Sequence, residues 1–266
     1  MQDGNESLTV LADTLNRSVQ MLSEALGRNI HTEPQRHLRE LELATRYIPP
    51  GGKILDVGCK LGEKLIALQL LGRKSFGVDN KYVFQSSGID ILKKVWEAAG
   101  VQIEECDVCR SPLVYPSELF DCVMCCAVLE HLHSSPKFPL GEMKRVLKPN
   151  GVMIITVPNL GAIGKRINFL LGRKHYLPLR SYFSGSGPIY GHIREFYRHE
   201  IVEMIEWVGD LRISHLQLFN HDRVFPKNPL RSLYSRFLIS LSMIYPNFRD
   251  AIIVVAQKEE KSTPAV

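Results

Sequence analysis

A chain of 266 residues with 45% hydrophobic and 23% charged residues and a formal charge of +5 has the composition of a globular protein. It is long enough for one large α/β domain or two small ones, and disorder, collagen and a small disulfide scaffold are excluded. No run approaches the roughly 18 apolar residues of a membrane span, and Met1–Glu6 is polar and acidic without a basic-then-apolar leader, so the cytoplasm is the expected location.

Taken in chain order, Leu8, Leu11, Leu15, Val19, Leu22 and Leu26 fall at three- and four-residue steps, one apolar stripe on a helix. That helix would pack on the body or form a homodimer contact. Thr32-Glu-Pro-Gln35 predicts a second helix with Thr32 as cap and Gln35 completing a capping box, ended by Pro49-Pro-Gly-Gly52. From Lys53 short apolar runs alternate with amphipathic segments, the pattern of a doubly wound parallel sheet. Strands are predicted near 53–57, 74–78, 101–106, 120–126, 152–157, 211–219 and 250–257. Helices are predicted near 63–71, 89–99, 140–147, 199–208 and 230–244. Gly72, Gly100 and Gly151 follow helices, where a left-handed residue costs glycine least.

Charge is distributed unevenly. No acidic residue lies between Glu142 and Glu195, while that stretch holds Lys144, Arg145, Lys148, Lys165, Arg166, Arg173, Lys174, Arg180 and Arg194. Either this is a solvated basic face or a local site for an anion such as a phosphate, a carboxylate or a lipid headgroup. Cys106-x-x-Cys109 and Cys122-x-x-Cys125 have zinc-like spacing, but Cys122 and Cys125 fall in a strand whose side chains alternate faces. Free buried cysteines are therefore expected, without disulfides.

The chemistry-bearing stretch is Ile54-Leu-Asp-Val-Gly-Cys-Lys-Leu-Gly62, a strand running into a helix, followed by a second strand ending at Gly77-Val-Asp79. Glycines let a turn pass close to a ligand, and an acid at the end of the next strand can accept both hydrogen bonds of a ribose diol. Further along come Glu105-Cys-Asp107-Val108, Phe120–Leu132 with Leu-Glu-His at its end, Glu142–Gly151 with Leu-Lys-Pro-Asn-Gly, and Val152–Asn159. In this order and spacing the chain resembles the class I S-adenosylmethionine-dependent methyltransferases, in particular the type 11 small-molecule group, over about residues 36–257. A nicotinamide dehydrogenase would share the acid and the first glycine, but Gly58-x-x-x-Gly62 lacks the GxGxxG fingerprint.

The resemblance implies a Rossmann-like α/β domain at 49–258 with a mostly parallel seven-stranded sheet and an antiparallel last strand. An N-terminal helical extension (1–48) would precede it. A substrate insertion at about 159–197, a helical insertion at about 220–249 and a flexible tail from 259 complete the organisation. It implies S-adenosyl-L-methionine as cofactor, with Asp56 beneath the methionine part and Gly58, Cys59 and Gly62 lining the turn. Asp79 and Asn80 would serve the ribose and adenine, Asp107 and Val108 the adenine, and Cys126 and Ala127 the sulfonium. Lys60 stands where the group usually has a middle glycine, which leaves open a degenerate, non-catalytic partner protein.

His131, Glu130 and His192 are the candidate catalytic residues. Relatives that hold a divalent cation use Glu-x-x-Glu-His with later histidines; with Ala127 in place of the first glutamate, a cation on Glu130, His131 and either His133 or His192 would be short of a ligand, and no metal is assigned here. The expected reaction is O-methylation of a small-molecule or glycan- or lipid-linked acceptor, an anionic or phosphate-bearing one included. Tyr176, Tyr182 and Tyr190 of the insertion would stack on a ring beside its arginines. An RNA substrate is the alternative, ranked lower because no Asn/Asp-Pro-Pro-Tyr motif follows the fourth strand. Peripheral membrane contact through 163–171 and 233–245, both apolar with basic edges, is a further expected partner mode.

Overall fold

A computed structural model describes residues 6–173, 183, 191–220 and 227–260. Its elements in order are α1 (Leu8–Leu26), α2 (Pro34–Tyr47), β1 (Lys53–Val57), α3 (Glu63–Leu70), β2 (Lys74–Asp79) and a single turn α4 (Lys81–Phe84). Then follow α5 (Ile89–Ala99), β3 (Gln102–Glu105), β4 (Phe120–Cys126), α6 (Lys137–Val146), β5 (Leu147–Pro158) and α7 (Ile163–Leu170). The chain closes with α8 (Arg198–Val208), β6 (Leu211–Phe219), α9 (Pro229–Ile244) and β7 (Ala251–Lys258). The seven strands lie in the order β3-β2-β1-β4-β5-β7-β6. β1 to β5 pair in parallel, while β7 runs antiparallel between β5 and β6. Order reverses between β1 and β4, so the ligand crevice of such a sheet opens at the carboxyl ends of these two strands.

Both sheet faces are covered, which is why the central strands are largely apolar on both sides, with Asp56 of β1 a buried exception. One face packs Leu55, Val57, Val123, Cys125 and Val254 against Leu140 and Met143 of α6 and Ile201 and Ile205 of α8. The other packs Ile54, Cys122, Met124 and Ile154 against α1, α2 and α3 through Leu11, Leu41, Ala44 and Leu68. Cys122 and Cys125 thus lie on opposite faces, and all six cysteines are free.

Several expectations are corrected. Of the two readings of the α1 stripe the packing one is seen, with Leu11, Leu15 and Leu22 buried within the chain and Leu8 left exposed. α1 is capped by Ser7 Oγ, which accepts from Val10 N, and is closed by Gly27 at φ 63°. Thr32 does not cap α2. Pro34 opens the helix with its fixed φ, leaving Glu33 as the flanking residue, and the Glu33 carboxylate is taken by Arg36 at 2.8 Å. After α6 the left-handed residue is Asn150 (φ 63°), and Gly151 is already in β5, because the chain turns extended at Leu147 to pair with Phe120. α7 is a helix inside the stretch expected to interrupt the alternation. Lys174, Tyr176, Arg180, Tyr182 and Tyr190 lie outside the described residues, as do the last six residues of the tail.

Candidate active site

The β1–α3 turn is built on backbone. Gly58 N and Cys59 N both donate to Val78 O of β2, and Trp96 Nε1 of α5 donates to Leu61 O at 2.8 Å. Gly58 sits at φ 77°, and a Cβ there would meet Val128 Cγ2 at 2.4 Å, so only glycine fits. Gly62 (φ 83°) would bring a Cβ to 2.9 Å from Ile103 Cδ1. The Cys59 side chain turns inward against Gly77, leaving its backbone to the turn. Lys60 adopts φ 52° with an exposed side chain, and its N–H donates to Asp79 Oδ2 at 2.7 Å. The lysine therefore holds its unusual place through its backbone, with its side chain exposed.

Asp79, buried at the end of β2, also accepts from Asn80 N through Oδ1 at 2.7 Å. Each of its oxygens keeps a second lone pair, and burial raises its carboxyl above the usual range. Asp107 follows β3 on an exposed turn, accepting from Cys109 N and lying 3.7 Å from Arg110. Val108 packs against the core. Ala127, just past β4, sits at φ 55° with its N–H on Thr156 O, and Cys126 at the strand's end is buried with its thiol pushed up by burial. Asp79, Lys60 and Gly62 are brought together at one edge of the crevice, with Cys126 and Ala127 at the end of the neighbouring central strand β4. This cradle, with positive-φ backbone where a side chain would collide and an acid with free lone pairs, fits a nucleoside cofactor.

Beneath the turn lies a buried charge cluster that the sequence reading missed. Lys64 Nζ sits 3.2 Å from both Asp56 Oδ2 and Glu40 Oε2, and Arg36 reaches Glu40 at 3.1 Å. Burial lifts Asp56 to about 6 despite Lys64, whereas Lys64 and Arg36 outweigh burial at Glu40 and hold it at about 2. His37, buried beside them, is pushed down to about 3. Asp56, expected beneath the methionine part, is thus an ion-pair partner that fixes β1 to α3 and α2. The signal was present in Arg36, His37 and Glu40 sharing the face of Leu41, Ala44 and Ile48, and in Lys64 opening an apolar helix.

Past β4 a single 3-10 turn, Leu129–His131, carries Glu130, which is 1% exposed and has no hydrogen-bond partner on either carboxylate oxygen. Burial lifts its carboxyl to about 7. The Glu130 carbonyl accepts from Ile193 N and Arg194 N, which docks Gly191–Arg194 over it. His131 Nδ1 meets Gly191 O at 3.0 Å and His192 Nδ1 meets Glu195 Oε1 at 2.7 Å. Read as donors, both Nδ1 atoms leave Nε2 lone pairs free. The rings pack edge to face at 5.0 Å, and one ligand atom each of Glu130, His131 and His192 lie within 4.8 Å of one another. His133 is not in this group. Two imidazoles oriented from behind, by a carbonyl and a carboxylate, and one orphaned buried acid can take a proton or hold a divalent cation.

Beyond Asn159 opens a recess of about 690 Å³ lined by Arg166, Tyr197, Arg198, His199 and Asn247, with one carboxylate, Glu203, among them. Most basic residues of the 142–195 stretch that are described do not face it. Lys144 binds Val208 O and Asp210, Arg145 binds Glu142, Lys148 binds Asp121, Lys165 pairs with Glu195 and Arg194 binds Glu200. The expected broad anion face is therefore reduced to Arg166 beside Arg198 and His199 of α8.

This sheet order, with a glycine turn after β1 and an acid after β2, defines a class I methyltransferase fold. Residues 27–219 match the model of a methyltransferase domain family, and the chain belongs to that family, whose members use S-adenosylmethionine. A tRNA U34 carboxymethyltransferase of Hydrogenovibrio crunogenus is 32% identical over 40% of this chain and 32% of its own length. A ubiquinone biosynthesis O-methyltransferase of Rickettsia akari is 31% identical over 51% of this chain and 47% of its own. The chain thus spans less than half the length of these relatives. Among solved structures, a chain of the complex between the Haloferax volcanii Trm112 methyltransferase activator and a methyltransferase superposes with a TM-score of 0.60 at 15% identity, covering 95% of this chain and 99% of that one, a likeness of fold.

Proposed function

We propose that this S-adenosylmethionine-dependent methyltransferase methylates a hydroxyl of a small acceptor carrying an anionic group. The observation that carries the proposal is Glu130, buried with both oxygens unpartnered, 4.0 Å from His131 Nε2 and close to His192, one turn past β4. S-adenosylmethionine, when bound, supplies an electrophilic methyl on sulfur.

The chain's own residues align and deprotonate. Asp79 offers its remaining lone pairs to the ribose hydroxyls, Asn80 and Asp107 line the adenine side, and the backbone of 58–62 forms the floor. His131 Nε2 takes the proton of the acceptor hydroxyl, its Nδ1–H held by Gly191 O, and the Glu130 carboxylate 4.0 Å away supports the imidazolium that forms. His192, tied to Glu195, faces the same space. Arg166, Arg198 and His199 in the recess suit an anionic end of the acceptor, with Tyr197 for a ring. Internal pairing of five basic side chains favours a small acceptor over an RNA backbone, whose binding needs them free.

A methyl-transfer assay on phenolic, sugar and phosphorylated hydroxyl acceptors tests this. Glu130→Gln and His131→Asn are expected to lower kcat by about 10²–10⁴-fold with cofactor affinity held within about threefold. Asp79→Ala is expected to lose cofactor binding. Full turnover in both of the first two variants would overturn the proposal. The closeness of the three ligand atoms favours a second reading, a divalent cation on Glu130, His131 and His192 that lowers the hydroxyl's pKa. Loss of turnover on chelation, restored by magnesium or manganese, selects it.

A further inference from the structure

We infer that α9, with the end of α7, is a docking face for an anionic lipid surface. Of the described residues, no helix is long and apolar enough to cross a membrane, so the contact would be peripheral. α9 is buried on one side only. Leu238 packs there against α7, 3.9 Å from where a Cβ on Gly164 would stand, and Ser242 Oγ bonds Asn220 at 2.9 Å. Its other side carries Leu230 (78% exposed), Leu233 (66%), Tyr234, Phe237 (57%) and Ile244. These recur at three-, four- and seven-residue steps, so they form one continuous stripe along the four turns of the helix. α7 ends in Leu170 and Leu171, which are also exposed. Solvent-facing stripes of this kind are the mark of an interaction surface, since monomeric proteins seldom leave large contiguous apolar area in water.

Charge selects the partner. No acidic residue occurs from 223 to 249, the segment that contains α9, while it holds five lysine or arginine residues. None occurs from 143 to 194, the segment that contains α7. The two helices that touch each other are therefore both drawn from acid-free, basic stretches, and Lys227 and Arg173 flank the apolar residues in exposed positions. An apolar stripe on helices drawn from acid-free, basic segments suits the interface of a bilayer rich in anionic headgroups, where leucine and phenylalanine enter the acyl boundary and lysine and arginine meet phosphate. A protein partner matched to this rim would need its own acidic ring, and a second copy of the chain would set like charges against each other. The inference does not rest on the acceptor chemistry above. It does place the recess near the surface, because α7 lends Arg166 to it.

Vesicle flotation with the full chain tests the assignment, using phosphatidylcholine alone and phosphatidylcholine mixed with phosphatidylglycerol. The expected result is binding to the mixed vesicles, weakened by salt, at least about tenfold tighter than to phosphatidylcholine. Leu233→Glu and Phe237→Glu, both at exposed positions that folding does not need, should abolish it with unchanged circular dichroism. Lys227→Gln should weaken it about fivefold, one cation's share at such a surface. No flotation of the wild type, flotation indifferent to both glutamate variants, or a solution dimer that Phe237→Glu dissolves without any vesicle binding would each overturn it.

Discussion

Lys60→Gly separates backbone from side chain in the cofactor turn. Lys60 holds φ 52°, where a Cβ costs about 1–2 kcal/mol that glycine does not incur. Glycine forfeits about 0.5–1 kcal/mol through its freer unfolded chain. The difference leaves the variant more stable by about 0.5–1 kcal/mol, a rise in Tm of about 1–4 °C for a chain of this size. The feature that serves the site, the N–H donated to Asp79 Oδ2 at 2.7 Å, survives the substitution, and the side chain removed is exposed. Cofactor affinity should change by less than about threefold. Lys60→Pro removes the donor and cannot reach positive φ, so it should lose both stability and binding. Urea unfolding and scanning calorimetry read the first effect, isothermal titration with S-adenosylmethionine the second. A Lys60→Gly protein that is less stable, or that binds the cofactor ten times more tightly, would show that the lysine side chain enters cofactor space and would refute the reasoning.

Three other outcomes follow from the same region. Gly58→Ala should cost at least about 2 kcal/mol, because the added Cβ both meets Val128 Cγ2 at 2.4 Å and sits at φ 77°. Val128→Ala in that background should recover only part of the loss seen in urea midpoints. Lys64→Met leaves Asp56 and Glu40 buried without their shared cation and should lower the unfolding free energy by about 3–5 kcal/mol. His37 has its folded pKa lowered to about 3 by burial. Between about pH 6.5 and 3 the unfolded chain binds a proton that the folded chain refuses, so stability falls with falling pH at up to about 1.4 kcal/mol per unit. Asp56, raised to about 6, acts oppositely between about 4 and 6. The His37 contribution is therefore read as wild type minus His37→Gln across a pH series of urea midpoints, and equal slopes for both proteins would sink it.

The turn glycines, Asp79 and the paired Glu130-His131 were legible in the chain because each answers a local demand. Positive φ needs glycine, a strand end presents its last side chain to the crevice, and a residue just past β4 lies at that same edge. The pairing of α2 with α3 through Glu40 and Lys64 was not legible. Their places beside apolar residues hint that each is buried, but only the approach of two helices, with Glu40 and Lys64 24 residues apart in sequence, makes them partners. His192 was a candidate from the sequence, but what seats it against His131 was not legible: a backbone bond from Ile193 to Glu130 spans a long insertion whose length says nothing of where it returns.

By itself the sequence determined the layer architecture, since strands buried on both faces must be largely apolar and the helices between them must carry one apolar stripe. It also determined the turn after β1, where a side chain would collide. Tertiary structure alone decided which basic residues are free and which are tied. Five cations that read as one basic patch turn to five separate acceptors, while α9 leaves its apolar side uncovered by the described residues. A side chain's partner is fixed by distances across the fold, and those are set only when the whole sheet and its helices have packed.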